Sequence, residues 1–444
     1  MNINEAVTNF VAGLHDSESN LFAFNANKKT KFNPEFDSVY YSGPYWDDLE
    51  VTAAIETLLK GQWLSSGAKV NQFEGRFSKK FGFGDSVMVN SGSSANLVMI
   101  AALKKYFGWN DGDEIIVSVV GFPTTTSAII QNNLKPIFVD ITWDDLNWDL
   151  DKVEQAITHR TRAVFSSPVL GNPYDFDKLL EIVSKAGIKL ISDNCDSLGS
   201  KWRGKFLTDY SVAASCSFYP AHHICTMEGG MVSSSDSEII KMARSFAWWG
   251  RACYCVGKQN LLACGTCKER FSNWIPEIDV PVDHKYVFEN IGYNLKPLDL
   301  QGAIGLVQLD KIDEIEARRR ENKLRIDQIV NSISGCKVIG EIPNATTSWF
   351  GAPIICENSE LKSTLVKFLE DNRVQTRNYF AGNLLLQPGY RHLGDWKDFP
   401  IASQVLSRVF FLGVSPTINS DMLNYIEEVI RKFMKTFPHL LGSE

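Results

Sequence analysis

The sequence has no uninterrupted run of the roughly 20 apolar residues that a membrane-spanning helix needs. Its most apolar stretch, residues 115–130, is interrupted by Pro123 and by five hydroxyl side chains. The first residues contain neither a cationic segment nor a long apolar one, so we expect no secretory signal. These absences predict a cytoplasmic protein with no membrane partner.

An excess of positive charge is also missing. There are 45 Lys and Arg residues against 52 Asp and Glu residues, and the net charge is −7. A protein that neutralises a phosphate backbone carries a basic face, so we expect no nucleic-acid partner. The nine cysteines are an odd number, and in a reducing compartment they do not predict a disulfide framework.

The composition is that of a large globular protein. Apolar residues make up 44% and charged residues 22% of the 444 residues, which excludes extensive disorder and leaves room for two or three domains. Runs typical of strands alternate with runs of helical periodicity. The predicted strands are 86–89, 114–117, 136–139, 163–166, 189–192 and 213–217, and the helices between them include 95–107, 125–132 and 177–186.

This alternation predicts an α/β fold with a doubly wound, mainly parallel sheet. A long, charged helix from Leu298 to about residue 333 is expected to bridge to a smaller α+β domain. We therefore expect an N-terminal arm (1–44), a large domain (45–297) and a bridging helix with the small domain (298–444). Ligands of such sheets bind at the carboxyl ends of the strands, so the loops there form the candidate site.

Three of these loops carry residues suited to chemistry. In the first, Asn90–Asn96, Gly92 permits close backbone approach, and Ser93 and Ser94 offer donors to a phosphate at the start of a helix. In the second, Asp193 follows a strand directly and could pair with a protonated ring nitrogen. By themselves both patterns also fit ordinary helix caps. The third loop is Ser215–Gly230.

The order of the loops, strand–GSSA–helix, strand–D–helix and strand–SFxP–EGG, resembles the DegT/DnrJ/EryC1/StrS aminotransferase family. Segments 63–74, 135–141 and 292–303 share the likeness, which covers about residues 45–440. The resemblance implies a fold-type I three-layer α/β/α sandwich, a pyridoxal or pyridoxamine 5′-phosphate cofactor, and a homodimer with shared active sites.

The same resemblance implies roles for individual residues. Ser93, Ser94 and Ser217 would hold the cofactor phosphate, and Asp193 would pair with the pyridine nitrogen. Phe122 would stack on the ring, and Asn294 would reach the cofactor phosphate of the neighbouring subunit. The alternatives are a buried core aromatic for Phe122 and a turn residue for Asn294.

The sequence departs from the aminotransferases at His222, which stands where they have the lysine that binds the cofactor. Imidazole has no primary amine for that bond, but it can remove and return protons near neutral pH. We therefore expect a noncovalently held pyridoxamine phosphate, a keto-sugar substrate and loss of a hydroxyl as water. Tyr219 is expected to orient the base or leaving group, and Asp196 to bond the 3-hydroxyl of the cofactor.

The cysteine pattern suggests a metal centre. Cys195 lies two residues after Asp193, and the segment 251–270 contains Cys253, Cys255 and Cys264. Four thiolates can hold a 2Fe-2S cluster or zinc. The pattern resembles the iron–sulfur dehydratases of the family that act on CDP-4-keto-6-deoxyglucose, but the last gap is one residue longer, so Cys267 is an alternative ligand. The four remaining cysteines, Cys216, Cys225, Cys336 and Cys356, are expected in the core.

Segment 374–388 resembles the part of the family that contacts the sugar nucleotide. Arg377 is a candidate partner for the diphosphate, or a surface salt-bridge residue, and Asn383 is a candidate contact to the sugar. The sequence thus predicts an NDP-4-keto-6-deoxyhexose 3-dehydratase of dideoxysugar synthesis, supplied with electrons by an NAD(P)H-dependent flavin and iron–sulfur reductase. The alternatives are a cluster-free dehydratase that recovers its amine from glutamate, a zinc-bound aminotransferase relative and a noncatalytic, lysine-less member of the family.

Overall fold

Two main sheets with helices packed on them, together with two small sheets, organise the computed structural model, which describes residues 2–17, 31–61, 63–253 and 270–441. The α-helices of this part are α1 Ile3–Ser17, α2 Asp48–Lys60, α3 Ala68–Phe81, α4 Gly92–Phe107, α5 Pro123–Gln131, α6 Leu150–Gln155, α7 Phe176–Ala186, α8 Ser237–Ala247, α9 Asp299–Val330, α10 Ser359–Asp371, α11 Ala402–Arg408 and α12 Ser420–Thr436. The strands are β1 Asp85–Val89, β2 Glu114–Ser118, β3 Lys135–Val139, β4 Thr161–Ser166, β5 Lys189–Asp193, β6 Lys201–Trp202, β7 Lys205–Phe206, β8 Ala214–Ser217, β9 Gly230–Ser234, β10 Phe271–Ser272, β11 Val282–Asp283, β12 Cys336–Val338, β13 Ala345–Thr346, β14 Gly351–Cys356, β15 Thr376–Asn378 and β16 Val409–Gly413. The two small sheets are β13-β6-β7 and β10-β11.

The larger sheet has seven strands in the order β1-β9-β8-β5-β4-β2-β3. The strands β3, β2, β4, β5 and β8 are parallel, and β9 runs antiparallel to both β1 and β8. Because helices cover both faces, the residues of these strands are mostly buried, as in β2, where Ile115, Ile116 and Val117 form a continuous buried apolar run. The predicted α/β fold with a mainly parallel sheet is confirmed.

Apolar layers on the two faces of this sheet join it to the helices. On one face Val98 and Met99 of α4 pack with Ile115 and Phe165 of the strands. On the other face Leu179 and Ile182 of α7 pack in a separate cluster. The carboxyl ends of the central strands are held in place between these layers, so the loops that follow them start from a rigid base.

The smaller sheet is antiparallel, in the order β12-β14-β16-β15, and packs against α10, α12 and the end of α9. The first half of α9 packs instead on α2 and α3 beside the larger sheet. The long helix therefore bridges the two sheets, close to its predicted bounds. The division into arm, large domain and small domain remains a prediction, and residues 254–269 of its cysteine-rich segment lie outside the described residues. None of the described helices combines the length and apolarity required to cross a membrane.

Candidate active site

A cavity of about 500 Å³ opens where β5 and β8 end and α4 begins. Its far wall is formed by residues of the smaller sheet and its neighbouring loops, including Phe380 and Phe411. The cavity brings together most of the site residues predicted from the sequence: Ser93, Phe122, Asp193, Cys195, Asp196, Ser217, Tyr219, His222 and Arg377.

Asp193 is the buried carboxylate at the end of β5. One of its oxygens, Oδ2, accepts hydrogen bonds from Asn96 Nδ2 at 2.8 Å and from Thr125 Oγ1 at 2.6 Å, and Oδ1 accepts one from the Cys195 amide at 3.2 Å. Asn96 is itself held by Ser215, whose hydroxyl donates to Asn96 Oδ1. This network fixes the carboxylate in the cavity and uses three residues that the sequence-based interpretation did not assign.

The start of α4 lies against the end of β8. A Cβ atom on Gly92 would be only 2.4 Å from the Cβ of Ser217, so the approach requires glycine. Ser91 is the N-cap of the helix and accepts a hydrogen bond from the Ser94 amide at 3.1 Å. Ser94 gives its amide to this cap and is not among the residues that line the cavity, whereas Ser91 is; the contact of Ser94 to a phosphate remains a prediction.

These features fit a phosphorylated pyridine cofactor. The positive end of a 16-residue helix and the hydroxyl groups of Ser93 and Ser217 offer donors to a phosphate. The fixed carboxylate of Asp193 lies in the same cavity, and Phe122 forms part of its wall with 57% of its surface exposed. Phe122 is therefore not the buried core aromatic that was the alternative.

His222 lies on the loop between β8 and β9, with its amide bonded to the Tyr219 carbonyl at 2.9 Å. The imidazole is 14% exposed and its ring centre is 5.1 Å from that of Phe350. Its Nδ1 atom has no hydrogen-bond partner within the described part of the chain, and the nearest carboxylate oxygen, of Asp196, is 3.9 Å away. Burial, and then the charge of Arg319, lowers the pKa of His222 to about 3, so the ring is a neutral base at physiological pH.

Asp196 has the opposite tendency. Burial, and then the negative charge of Asp193, raises its pKa to about 8, so it is a neutral carboxylic acid at pH 7. It accepts a hydrogen bond from the Leu170 amide at 3.3 Å. Tyr219 lies in the same cavity with 48% of its surface exposed, and its ring centre is 6.5 Å from that of His222. The cavity thus combines a neutral base, a neutral acid and a phenol.

Arg377 lies on the cavity wall formed by the smaller sheet. Its guanidinium is 4.1 Å from the centre of the Tyr41 ring and donates to the Thr376 carbonyl at 2.8 Å. It takes part in none of the ion pairs between described residues, which leaves its charge available to an anionic ligand. This geometry favours a role toward an anionic ligand over that of a surface salt-bridge residue, and both remain predictions.

The structure does not support the predicted contact of Asn383 to the sugar. It is completely buried and does not line the cavity. Its amide nitrogen donates to the Trp396 carbonyl at 3.0 Å and to Ser403 Oγ at 2.9 Å, and its oxygen accepts from the Leu385 amide at 3.0 Å. All of these partners are internal, so Asn383 stabilises its own loop and is not in position to contact a sugar.

Asn294 lies outside the cavity, on an exposed part of the surface next to Lys296, which donates to its side-chain oxygen. A single chain does not test its predicted role toward a neighbouring subunit. That role remains a prediction.

The predicted metal ligands are only partly described. Cys195 lines the cavity, and burial raises its pKa well above the usual range for a thiol. Cys253 is buried in the core cluster beneath the larger sheet. Cys255, Cys264 and Cys267 lie outside the described residues. Within the described ranges, no three His, Cys, Asp or Glu side chains are grouped so that they could hold a metal ion. The expected core position is confirmed for Cys216, Cys225 and Cys356.

The mainly parallel sheet, with a buried aspartate at the end of β5 beside the start of α4, is the architecture of the pyridoxal-phosphate enzymes of fold type I. Residues 47–431 match the model of the DegT/DnrJ/EryC1/StrS aminotransferase family, and the chain belongs to this family. The resemblance found in the sequence is therefore confirmed.

Its relatives include several 3-dehydratases. The dTDP-4-dehydro-2,6-dideoxy-D-glucose 3-dehydratase of Saccharopolyspora spinosa is 35% identical over 406 residues, which cover 88% of this chain and 86% of the relative. The GDP-4-keto-6-deoxy-D-mannose 3-dehydratase of Yersinia pseudotuberculosis is 34% identical over 401 residues, which cover 87% of this chain and 96% of the relative. A crystal structure of a GDP-4-keto-6-deoxymannose-3-dehydratase with a trapped PLP-glutamate geminal diamine aligns with a TM-score of 0.77 and 30% identity, covering 88% of this chain and 100% of that one.

These relatives support the prediction of a lyase. Their names contain GDP- and dTDP-linked sugars, and the predicted CDP-linked substrate remains a prediction.

Proposed function

We propose that the chain is a sugar-nucleotide 3-dehydratase that uses pyridoxamine 5′-phosphate to remove the C3 hydroxyl of an NDP-4-keto-6-deoxyhexose. The observation that carries the proposal is His222, a buried and neutral imidazole in the cofactor cavity, at the position where aminotransferases of the family have a lysine. A side chain without a primary amine favours proton transfer over covalent attachment of the cofactor.

The cofactor would be held by residues at two ends of the cavity. The start of α4 with Ser93 and Ser217 would bind the phosphate, and Asp193 would pair with the ring nitrogen, because its carboxylate is already fixed by Asn96 and Thr125. Phe122 would cover the ring from the exposed side of the cavity. When bound, pyridoxamine phosphate supplies an amine for the keto group and a ring that accepts electrons.

The proton chemistry would belong to His222. As a neutral base it would take a proton from the C4′ carbon of the cofactor and pass it to the hydroxyl at C3 of the sugar, which would leave as water. Asp196, protonated at pH 7 and 3.9 Å from the imidazole, is suited to bond the 3-hydroxyl of the cofactor and to keep the charge near the base low. Tyr219 would orient the leaving group. Arg377 would bind the diphosphate, for which its planar guanidinium is well suited.

The proposal is tested by incubating the purified chain with pyridoxamine phosphate and, in separate reactions, with the GDP-, CDP- and dTDP-linked 4-keto-6-deoxyhexoses. We expect a sugar that has lost its C3 hydroxyl, and deuterium at C4′ of the cofactor when the reaction runs in deuterated water. His222→Asn serves as the matched control. Formation of an amino sugar with the C3 hydroxyl intact would contradict the proposal, and a complete lack of proton exchange at C4′ would favour a noncatalytic family member.

The fate of the product separates two versions of this function. The relatives with GDP-linked substrates, and the PLP-glutamate adduct named for one of them, support a version without an iron–sulfur cluster, in which glutamate restores the amine. The version with a 2Fe-2S cluster on Cys195, Cys253, Cys255 and Cys264, reduced by an NAD(P)H-dependent partner, rests on the cysteine pattern and on the position of Cys195 in the cavity.

Iron and acid-labile sulfide analysis of protein purified anaerobically decides between them. A 1:1 content of iron and sulfide that is lost in Cys253→Ser supports the cluster, and zinc would show in the same analysis. Their absence, together with glutamate-dependent turnover, supports the cluster-free version.

We also propose a homodimer with shared sites, in which Asn294 reaches the cofactor phosphate of the second subunit. Light scattering would report the assembly. Mixing inactive His222→Asn and Asn294→Ala chains should then restore activity, because one of the two mixed sites carries neither substitution. No recovery in mixed dimers would contradict the shared site.

A further inference from the structure

Arg319 on α9 is a buried arginine that forms no ion pair with the acidic residues in the described part of the chain. Only 1% of its surface is exposed. Its neighbours Arg318 and Arg320 point to solvent and pair with Glu314 and Glu341 at 2.9 and 2.7 Å, but none of the ion pairs between described residues includes Arg319. A buried cation is costly unless hydrogen bonds compensate it, so its partners indicate why it is there.

Those partners are four backbone carbonyl oxygens. Nη2 donates to Ala221 at 3.0 Å and to His222 at 3.1 Å. Nη1 donates to Trp349 and to Phe350, each at 3.3 Å. The guanidinium therefore joins the loop that carries the proposed base to the segment that leads into β14.

Both segments that Arg319 joins determine the surroundings of the imidazole. One segment carries His222 itself, and the other carries Phe350, whose ring centre is 5.1 Å from that of His222. Residues 218–229 form neither helix nor strand, so their carbonyls have no regular backbone donors and must find other partners when buried. A charged, planar donor group satisfies several carbonyls in one rigid arrangement.

We propose that Arg319 is a positioning residue for His222, which holds the imidazole at a fixed place in the cavity by binding the backbone of the base loop and of Phe350 at once. The proposal rests on the proposed function of His222 as the base. It predicts that Arg319 affects proton transfer without affecting the binding of cofactor or substrate, because Asp193, Ser217 and Arg377 are not among its partners.

The test compares Arg319→Met, which keeps the length and loses the donors, with Arg319→Lys, which keeps one charged donor group. Arg318→Met is the matched control on the same helix. Charged hydrogen bonds of this kind correspond to losses of about 10- to 150-fold. We therefore expect kcat to fall about 100-fold in Arg319→Met and about 10-fold in Arg319→Lys, while KM and the Kd of pyridoxamine phosphate stay within about threefold.

A readout that does not need turnover separates this inference from the proposed function. Amide hydrogen exchange in residues 218–225 should become faster in Arg319→Met and, less so, in Arg319→Lys, and it should not change in Arg318→Met. Unchanged exchange, or a wild-type kcat in either Arg319 variant, would overturn the positioning role. If Arg319→Met does not fold, the lysine variant alone decides by the same two measurements. A third outcome is possible: the wild-type protein eliminates no water, but amide exchange is still faster in the Arg319 variants. That result would reject the dehydratase proposal and retain the structural role of Arg319.

Discussion

Gly92 offers the sharpest test of the proposed phosphate site. In Gly92→Ala the new Cβ would lie 2.4 Å from Ser217 Cβ, 2.8 Å from its Oγ and 3.0 Å from its Cα. Carbon atoms in contact are about 3.5 Å or more apart, so the start of α4 and the end of β8 must separate by about 1 Å. A phosphate held between them would then lose at least one charge-assisted hydrogen bond, which contributes about 1.5–3 kcal/mol.

This loss corresponds to a Kd for pyridoxamine phosphate that is about 10- to 150-fold higher. The assay is a fluorescence titration of the apoprotein with the cofactor, with the melting temperature as a check on folding. Gly75→Ala is the matched control, because Gly75 lies within α3 and a Cβ there meets no atom within 4 Å. A Gly92→Ala protein that binds the cofactor as tightly as the wild type would refute the assignment of this cradle.

Three further outcomes follow from the site. His222→Asn should lower the rate of proton exchange at C4′ by at least about 100-fold and leave the cofactor Kd unchanged in the titration; undiminished exchange would rule out the imidazole as base. Asn383→Ala should lower the free energy of unfolding in urea by about 1–3 kcal/mol without changing KM, whereas a raised KM in a protein of normal stability would restore the predicted sugar contact. In the folded protein the pKa of the Asp196 carboxyl is raised from its ordinary value to about 8. Between about pH 4 and pH 8 the folded protein therefore keeps a proton that the unfolded chain has lost, and the free energy of unfolding falls as the pH rises. Asp196→Asn should remove this fall, which amounts to at most about 1.4 kcal/mol per pKa unit, and melting curves at pH 5 and pH 8 that differ equally in both proteins would contradict it.

Short apolar runs and turn residues in the sequence predicted most strands of the larger sheet, because the position of a strand depends mainly on its own residues. The strands from β1 to β5 and β8 were predicted within about two residues, since most of them contain a short apolar run bounded by turn residues. The antiparallel strand β9 was not predicted. It consists of five buried residues without alternation, and its direction depends on its neighbours in the sheet.

The site was predictable where a loop motif carries the function and not where distant contacts do. Asp193 and Ser217 are the last residues of β5 and β8, and His222 lies five residues after β8, so sequence position alone brings them to one edge of the sheet. Thr125 and Ser215 matter because they fix Asp193 and Asn96 in space, and no spacing in the sequence reveals that. Asn383 is the converse case: its place in a recognisable segment suggested a ligand, but its internal hydrogen bonds use both ends of its amide.

The central claim is that this chain holds its cofactor without a covalent bond, because an imidazole occupies the place of the usual amine. The direct measurement is borohydride reduction of the protein loaded with pyridoxal phosphate, followed by denaturation and mass spectrometry of the intact chain. We expect the mass of the unmodified polypeptide. A phosphopyridoxyl group attached to any lysine would contradict the account.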